Sequence, residues 1–279
     1  MTATYAPALP IWCAGCGHYG VQSSLVRALN ALRIPAHQVM VLAGIGCSGT
    51  VQNNLGTYGY HALHGRVLPS ATGVHLADPD LTVVATGGDG DGYAIGMGHL
   101  VHAFRRNASF AYIVMNNAVY GLTKGQVSPT SEGGDSGPPL DAVALGLSIR
   151  GSTFIARGFA RWSEQLDRLT IAALEHARSR RGFAFLEVLS PCVHYNDTYA
   201  AWEASLVDVD ADPTYDPADR EAAFRVISRP AASGRMAVGL IYQAPAGPPA
   251  APPPRPAGAV LDPAAQAGAY RAMLDRYLA

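Results

Sequence analysis

Five short apolar runs restrict this chain more than any other feature: Val39 to Ala43, Leu81 to Thr86, Phe110 to Met115, Thr153 to Ala156 and Phe183 to Leu189. Four of them lead directly into loops of Gly, Ser, Asn or Pro. Continuous apolar runs of this length read as strands buried on both faces, a pattern found in parallel sheets covered by helices. The intervening segments have helical spacing. Val21, Leu25, Val26, Leu29 and Leu32 mark a helix over 20–34, Tyr93 to Arg106 is a second, and Ser163 to Arg178 is an amphipathic third. The second joins two strands as a βαβ unit, for which a right-handed crossover is expected. The predicted fold class is α/β, a doubly wound and mostly parallel sheet.

The alternation fades beyond about residue 200. Residues 208–220 are acidic and contain proline, and residues 244–257 hold seven prolines in fourteen positions, a composition that favours extended backbone. The expected organisation is a binding domain over 1–200, an irregular C-terminal arm over 201–243, and a Pro/Ala-rich linker with a short terminal helix over 244–279. Ala269, Met273, Leu274 and Leu278 would dock that helix.

Twenty Lys and Arg balance twenty-one Asp and Glu, for a formal net charge of −1. No general attraction to nucleic acid or anionic membrane follows. No apolar run approaches the roughly 20 residues that span a bilayer, and residues 1–10 have no basic region before an apolar stretch, so a cytoplasmic location is expected. Only 15% of residues are charged, against about 25% in typical domains. A large core and a surface partly covered by another subunit are both expected.

Open α/β sheets bind ligands at the carboxyl ends of their strands. Gly44 to Gly49, Gly87 to Gly92, Asn116 to Gly121 and Ser190-Pro191-Cys192 all fall at such ends. Small residues let backbone N–H groups approach a phosphate, and Asp89 makes sense beside an anion if a divalent cation lies between them. Mg²⁺ needs octahedral oxygen ligation, which Asp89, the Asn117 amide oxygen, a backbone carbonyl near Val119, two phosphate oxygens and one water can supply. Four cysteines, Cys13, Cys16, Cys47 and Cys192, sit in loop-like segments. Four thiols suit one tetrahedral metal ion or one iron–sulfur cluster. A structural zinc site usually pairs two closely spaced couples, whereas 30 and then 144 residues separate the last two cysteines from their predecessors here.

Gly88-Asp89-Gly90, followed after 25 residues by Asn116-Asn117, resembles the thiamine diphosphate motif. Around it, in order, stand Trp12-Cys13-Ala14-Gly15-Cys16-Gly17-His18, Gly44-Ile45-Gly46-Cys47-Ser48-Gly49, His64-Gly65-Arg66, Gly121-Leu122-Thr123-Lys124-Gly125-Gln126 and Ser128-Pro129-Thr130. Together they resemble the β subunit of 2-oxoacid:ferredoxin oxidoreductases, over about residues 10 to 200. The resemblance implies the thiamine-diphosphate-binding fold. It also implies Mg²⁺ on Asp89, Asn117 and the Val119 carbonyl, and a cofactor surrounded by Ile45, Gly46, Cys47, Ser48, His64, Gly88, Gly90, Asp91, Asn117, Gly121 and Leu122. A [4Fe–4S] cluster on Cys13, Cys16, Cys47 and Cys192 is implied in the same way, as is an α subunit that supplies the pyrimidine pocket and its glutamate.

The implied reaction is CoA-dependent oxidative decarboxylation of a 2-oxoacid, with electrons passed through the cluster to ferredoxin. Lys124, in the Leu-x-Lys arrangement with Leu122, resembles a contact to the distal carboxylate of 2-oxoglutarate; pyruvate or a broad 2-oxoacid range is the alternative. His64 is a candidate contact to cofactor or substrate, whereas His99 and His102 read as ordinary helix residues. Two departures from the family pattern stand out, Thr50 where relatives often carry Lys and Asn116 where they often carry Asp. A non-oxidative thiamine-diphosphate decarboxylase, or an electron-transfer subunit with a vestigial cofactor loop, are the other functional classes open.

Overall fold

The computed structural model describes residues 5, 8–132, 137–251 and seven helical positions between 267 and 276. The first helix, α1 (His18–Ala31), leads to β1 (Val39–Ala43), a 3₁₀ segment (Cys47–Asn54), β2 (Tyr58–His61) and α2 (Val67–Ala77). Then come β3 (Thr82–Gly88), a π-helical turn (Gly90–Ile95), α3 (Met97–Arg106), β4 (Ala111–Asn116) and α4 (Ala142–Ser148). The remainder is β5 (Phe154–Phe159), α5 (Ser163–Arg178), β6 (Ala184–Leu189), α6 (Tyr199–Ser205), β7 (Leu206–Asp208), α7 (Arg220–Ala231) and β8 (Met236–Gln243).

The eight strands form one sheet in the order β2-β1-β3-β4-β6-β5-β8-β7. All neighbours run parallel except β5 and β8. Alternation along each strand divides the core in two. In β6, Ala184, Leu186 and Val188 join the side covered by α1 and α5, and Phe185 joins the side covered by α2, α3, α4 and α7. The helix α5 shows why these segments are helical. Leu166, Leu169, Ala173, Leu174 and Ala177 form its buried stripe, Glu164 lies in its first turn and Arg178 in its last, each charge favourable to the helix dipole. On the opposite side Phe104 meets Phe183 and Phe185 edge-on, with ring centroids 5.2 and 5.1 Å apart.

Helix α5 keeps its predicted bounds, and all five predicted strands form with ends shifted by up to three residues. The helix expected from Tyr93 instead begins as a π turn, closed by Gly96 N–H on the Asp91 carbonyl at 3.2 Å. The sequence pattern does not predict β2, α2 or α4. Strand β2 is an exposed edge of Tyr and His, α2 carries Pro69 in its first turn where no N–H is required, and α4 has seven residues.

The largest difference lies in residues 201–243, expected as an irregular arm. They supply two further strands, and β8 pairs antiparallel with β5, where a bulge falls between Ile155 and Ala156. The acidic stretch that reads as a linker is turn and cap chemistry: Asp219 accepts from Glu221 N and Ala222 N at the start of α7. Gly239, at φ +124°, interrupts the strand pattern because a Cβ there would meet Val209 and Asp210 at under 3 Å. The terminal helix expected over 263–278 falls mostly outside the described residues. Among the described residues no helix is long and apolar enough to cross a membrane.

Candidate cofactor and metal site

Chain direction across the sheet reverses between β1 and β3, since β1 leads outward to β2 and β3 leads the other way to β4. The loops beyond such neighbouring strands diverge and leave a crevice. A cavity of about 470 Å³ opens there. The β1 loop contributes Ile45, Gly46, Cys47 and Ser48, and the β3 end contributes Gly88, Asp89, Gly90 and Asp91. Beyond β4 come Asn117, Val119, Gly121 and Leu122, and His64 completes the set expected from sequence. Gly46 adopts φ +128°, a conformation that excludes most side chains, and so turns the loop toward the cavity.

Asp89 is 1% exposed. Its Oδ2 accepts from Ser128 Oγ at 2.5 Å and Thr130 Oγ1 at 2.7 Å. Burial pushes its carboxyl above the usual range, against these hydroxyls and nearby backbone N–H groups, and no basic side chain is among its partners. A buried carboxylate without a counter-cation fits a divalent ion. Asn117 Oδ1 accepts from Val119 N at 3.2 Å and retains a second lone pair. The residues present therefore fit Mg²⁺ on a diphosphate.

Asp91 has a different role in the same loop. Its Oδ1 accepts from Ile45 N and Gly65 N, each at 2.8 Å, and lies 3.1 Å from His64 Nδ1. One carboxylate thereby ties together the two loops that flank the cavity. Its Oδ2 is buried without a partner, and burial raises its carboxyl as well.

The cysteines come together from three loops. Cys16 N–H donates to the Cys13 carbonyl at 3.0 Å, and Gly17 N–H donates to the Pro191 carbonyl at 3.1 Å. Trp12 Nε1 donates to the Cys47 carbonyl at 2.7 Å, and His18 Nδ1 lies 2.7 Å from Ser190 Oγ. A Cβ on Gly121 would sit 3.6 Å from Cys47 Sγ and 3.7 Å from Cys192 Sγ. Burial, then the proximity of Cys192, Cys47 and Cys13, pushes the Cys16 thiol up to about 11. Thiols that raise one another in this way are suited to a positively charged centre, which removes their protons. Among the described residues no three Cys, His, Asp or Glu side chains are drawn to the spacing of a single metal ion. Four thiols brought from three loops into one neighbourhood match in number the Cys₄ requirement of an iron–sulfur cluster. All four are free thiols.

Two expectations are placed less centrally. Lys124 is exposed, with φ +72°, and does not line the cavity. Thr50 does not reach the cavity either; its hydroxyl donates to the Cys47 carbonyl at 3.0 Å. Five wall residues lie outside the set expected around the cofactor: His18, Met115, Tyr120, Thr123 and Gln126. Met115 reads as ordinary strand core, but His18 directly follows the Cys13 to Gly17 loop, a signal that was available. His18 is fully enclosed, and burial lowers it to about 4, so it is neutral.

Residues 36–188 match the C-terminal TPP binding domain of thiamine pyrophosphate enzymes, and residues 192–251 match the C-terminal region of the pyruvate ferredoxin oxidoreductase beta subunit. The chain is 40% identical over 220 residues to the beta subunit of 2-oxoacid:ferredoxin oxidoreductase 1 from Aeropyrum pernix, covering 75% of this chain and 68% of that one. It is 37% identical over 252 residues to the corresponding protein from Saccharolobus solfataricus, covering 83% and 81%. A solved 2-oxoglutarate:ferredoxin oxidoreductase from Magnetococcus marinus, with 2-oxoglutarate, coenzyme A and succinyl-CoA bound, superposes with a TM-score of 0.79 at 35% identity, covering 86% of this chain and 84% of that chain. The chain belongs to the β subunits of the 2-oxoacid:ferredoxin oxidoreductases, thiamine-diphosphate-binding oxidoreductases that work with an α subunit.

Proposed function

We propose that this β subunit serves the CoA-dependent oxidative decarboxylation of 2-oxoglutarate to succinyl-CoA and CO₂, with the two electrons released passed singly through a [4Fe–4S] cluster to ferredoxin. The observation that carries this reading is the adjacency of two sites at one sheet edge: Cys47 lines the cavity that holds the buried Asp89 carboxylate and also belongs to the four-thiol neighbourhood. Bound thiamine diphosphate supplies the electron sink for decarboxylation, and a bound cluster accepts one electron at a time.

The chain's own groups prepare that chemistry. Asp89, Asn117 and the Val119 carbonyl hold Mg²⁺, and the Ile45 to Ser48 loop presents backbone to the diphosphate. Asp91 fixes His64 with Nδ1–H toward its carboxylate, leaving Nε2 to accept or return a proton at the cavity wall. Cys13, Cys16, Cys47 and Cys192 ligate the cluster. The pyrimidine end of the cofactor belongs to the α subunit, so the isolated chain is inactive, and the assembly operates in the cytoplasm.

The exposed position of Lys124 favours a second reading of specificity, in which pyruvate and other 2-oxoacids are accepted equally. The decisive test of the main reading is iron and acid-labile sulfide on anaerobically purified αβ assembly. About four of each per β chain are expected. Zinc, or neither element, would overturn the redox half and leave a non-oxidative decarboxylase.

A further inference from the structure

The Ser128-Pro129-Thr130 segment has no part in the function described so far, yet it makes the shortest side-chain contacts to Asp89. Each hydroxyl carries one proton, so counting protons shows where each goes. Ser131 Oγ donates to the Ala118 carbonyl at 2.6 Å, and Ser128 Oγ lies 2.5 Å from Asp89 Oδ2 against 3.2 Å from Ser131 Oγ and 3.4 Å from Thr130 Oγ1, so its proton goes to the nearer and stronger acceptor, the carboxylate. Thr130 Oγ1 lies between two acceptors, Asp89 Oδ2 at 2.7 Å and Asn116 Oδ1 at 2.9 Å.

The Asn116 amide is oriented from behind. Its Nδ2 donates to Glu187 Oε1 at 3.1 Å, and its Oδ1 already accepts from Ala118 N at 3.0 Å. A carboxylate is the stronger acceptor, so the Thr130 proton also goes to Asp89. Glu187 is in turn gripped by Tyr93 OH at 2.8 Å and Arg157 Nε at 2.6 Å, and Arg157 Nη2 reaches Asp141 at 2.6 Å. A chain of hydrogen bonds thus runs from the N-cap of α4 through Arg157 and Glu187 to Asn116, and Thr130 Oγ1 lies beyond its end, with its one proton on Asp89.

We infer that Ser128 and Thr130 are positioning residues: they converge on Asp89 Oδ2 and turn the carboxylate so that Oδ1 meets the cation. This rests on the reading that Asp89 binds the divalent ion of the cofactor. No side-chain donor among the described residues reaches Oδ1, which leaves that oxygen for the cation. The same segment closes the loop whose Tyr120, Leu122 and Gln126 line the cavity, so placing the cation also places that wall.

The test is Mn²⁺ binding, in the presence of thiamine diphosphate, by electron paramagnetic resonance on the anaerobic αβ assembly. Wild type should bind one Mn²⁺ per β chain, and Asp89→Asn should abolish it. Thr130→Val and Ser128→Ala should each raise the Mn²⁺ dissociation constant about tenfold, the worth of one hydrogen bond to a charged group, and Thr130→Ser should restore it to within about twofold. The melting temperature of the cation-free assembly should stay within a few degrees, while the rise on adding Mn²⁺ shrinks in the valine variant. If Asp89→Asn binds Mn²⁺ as wild type does, the cation assignment itself is wrong and the inference goes with it. If Asp89→Asn fails to bind but Thr130→Val and Ser128→Ala bind normally, the cation site stands and the positioning role is overturned. Should Thr130→Val not assemble, Ser128→Ala and Thr130→Ser decide by the same comparison.

Discussion

Asn196 Nδ2 donates to the Asn117 backbone carbonyl over 3.0 Å, while Asn196 N–H donates to the Cys192 carbonyl, also over 3.0 Å. One residue therefore couples the Cys192 loop to the Asn117 loop. Replacing Asn196 with Ala should weaken Mg²⁺–thiamine diphosphate binding to the assembly about fivefold, the cost of about 1 kcal/mol for one buried hydrogen bond. Calorimetry measures this, and unchanged affinity would reduce the bond to local loop closure.

Lys124 is the sole lysine of the chain, set in left-handed backbone beside Gly125. Lys124→Ala should raise KM for 2-oxoglutarate about tenfold while leaving KM for pyruvate within about twofold, because only the former has a distal carboxylate. Equal effects on both substrates would discard the carboxylate contact and favour the broad-specificity reading.

His176 gives the chain a pH-dependent stability far from the cofactor. Its Nε2–H donates to Thr153 Oγ1 at 3.0 Å, whose hydroxyl donates to Asn107 Oδ1 at 2.9 Å, so Nδ1 is the bare nitrogen, buried without a partner. Burial, then the Arg181 charge, lowers His176 to about 4, whereas in the unfolded chain it takes a proton near 6.5. Between those values the unfolded state binds more protons, so stability rises with pH. It is complete above about 6.5 and declines as pH falls toward 4, by about 2 kcal/mol at pH 5 from this residue. Thermal unfolding across pH 5 to 7.5 should show a shallower slope for His176→Gln, and an identical slope would place the titrating groups elsewhere.

Arg157 is 4% exposed and lies between Glu187 and Asp141. Arg157→Met would leave Glu187 buried without a counter-charge and should lower stability by about 3 kcal/mol, with much of the loss recovered in Arg157→Met/Glu187→Leu. Urea unfolding of the assembly reads this, and a double variant as unstable as the single one would show that the pair contributes packing and not charge balance.

The sequence by itself determined the parallel sheet, because buried parallel strands are apolar on both faces and announce themselves as runs such as Phe183 to Leu189. It also supplied the candidate residues of the rim, since Gly88-Asp89-Gly90, Asn117 and four loop cysteines fall at strand ends or in loops and carry the resemblance to the family. What it left out was whatever depends on distance across the fold. β8 resembles the tail of an arm because its neighbour, β5, lies more than seventy residues earlier. The wall positions of Met115 and Tyr120, the Asn196 link and the Ser128–Thr130 grip on Asp89 arise only when strands in a non-sequential order bring separate loops to one edge. A polar side chain in a loop has no periodicity to report its partner, so only the tertiary structure decided which hydroxyls face Asp89 and that Lys124 stands clear of the cavity.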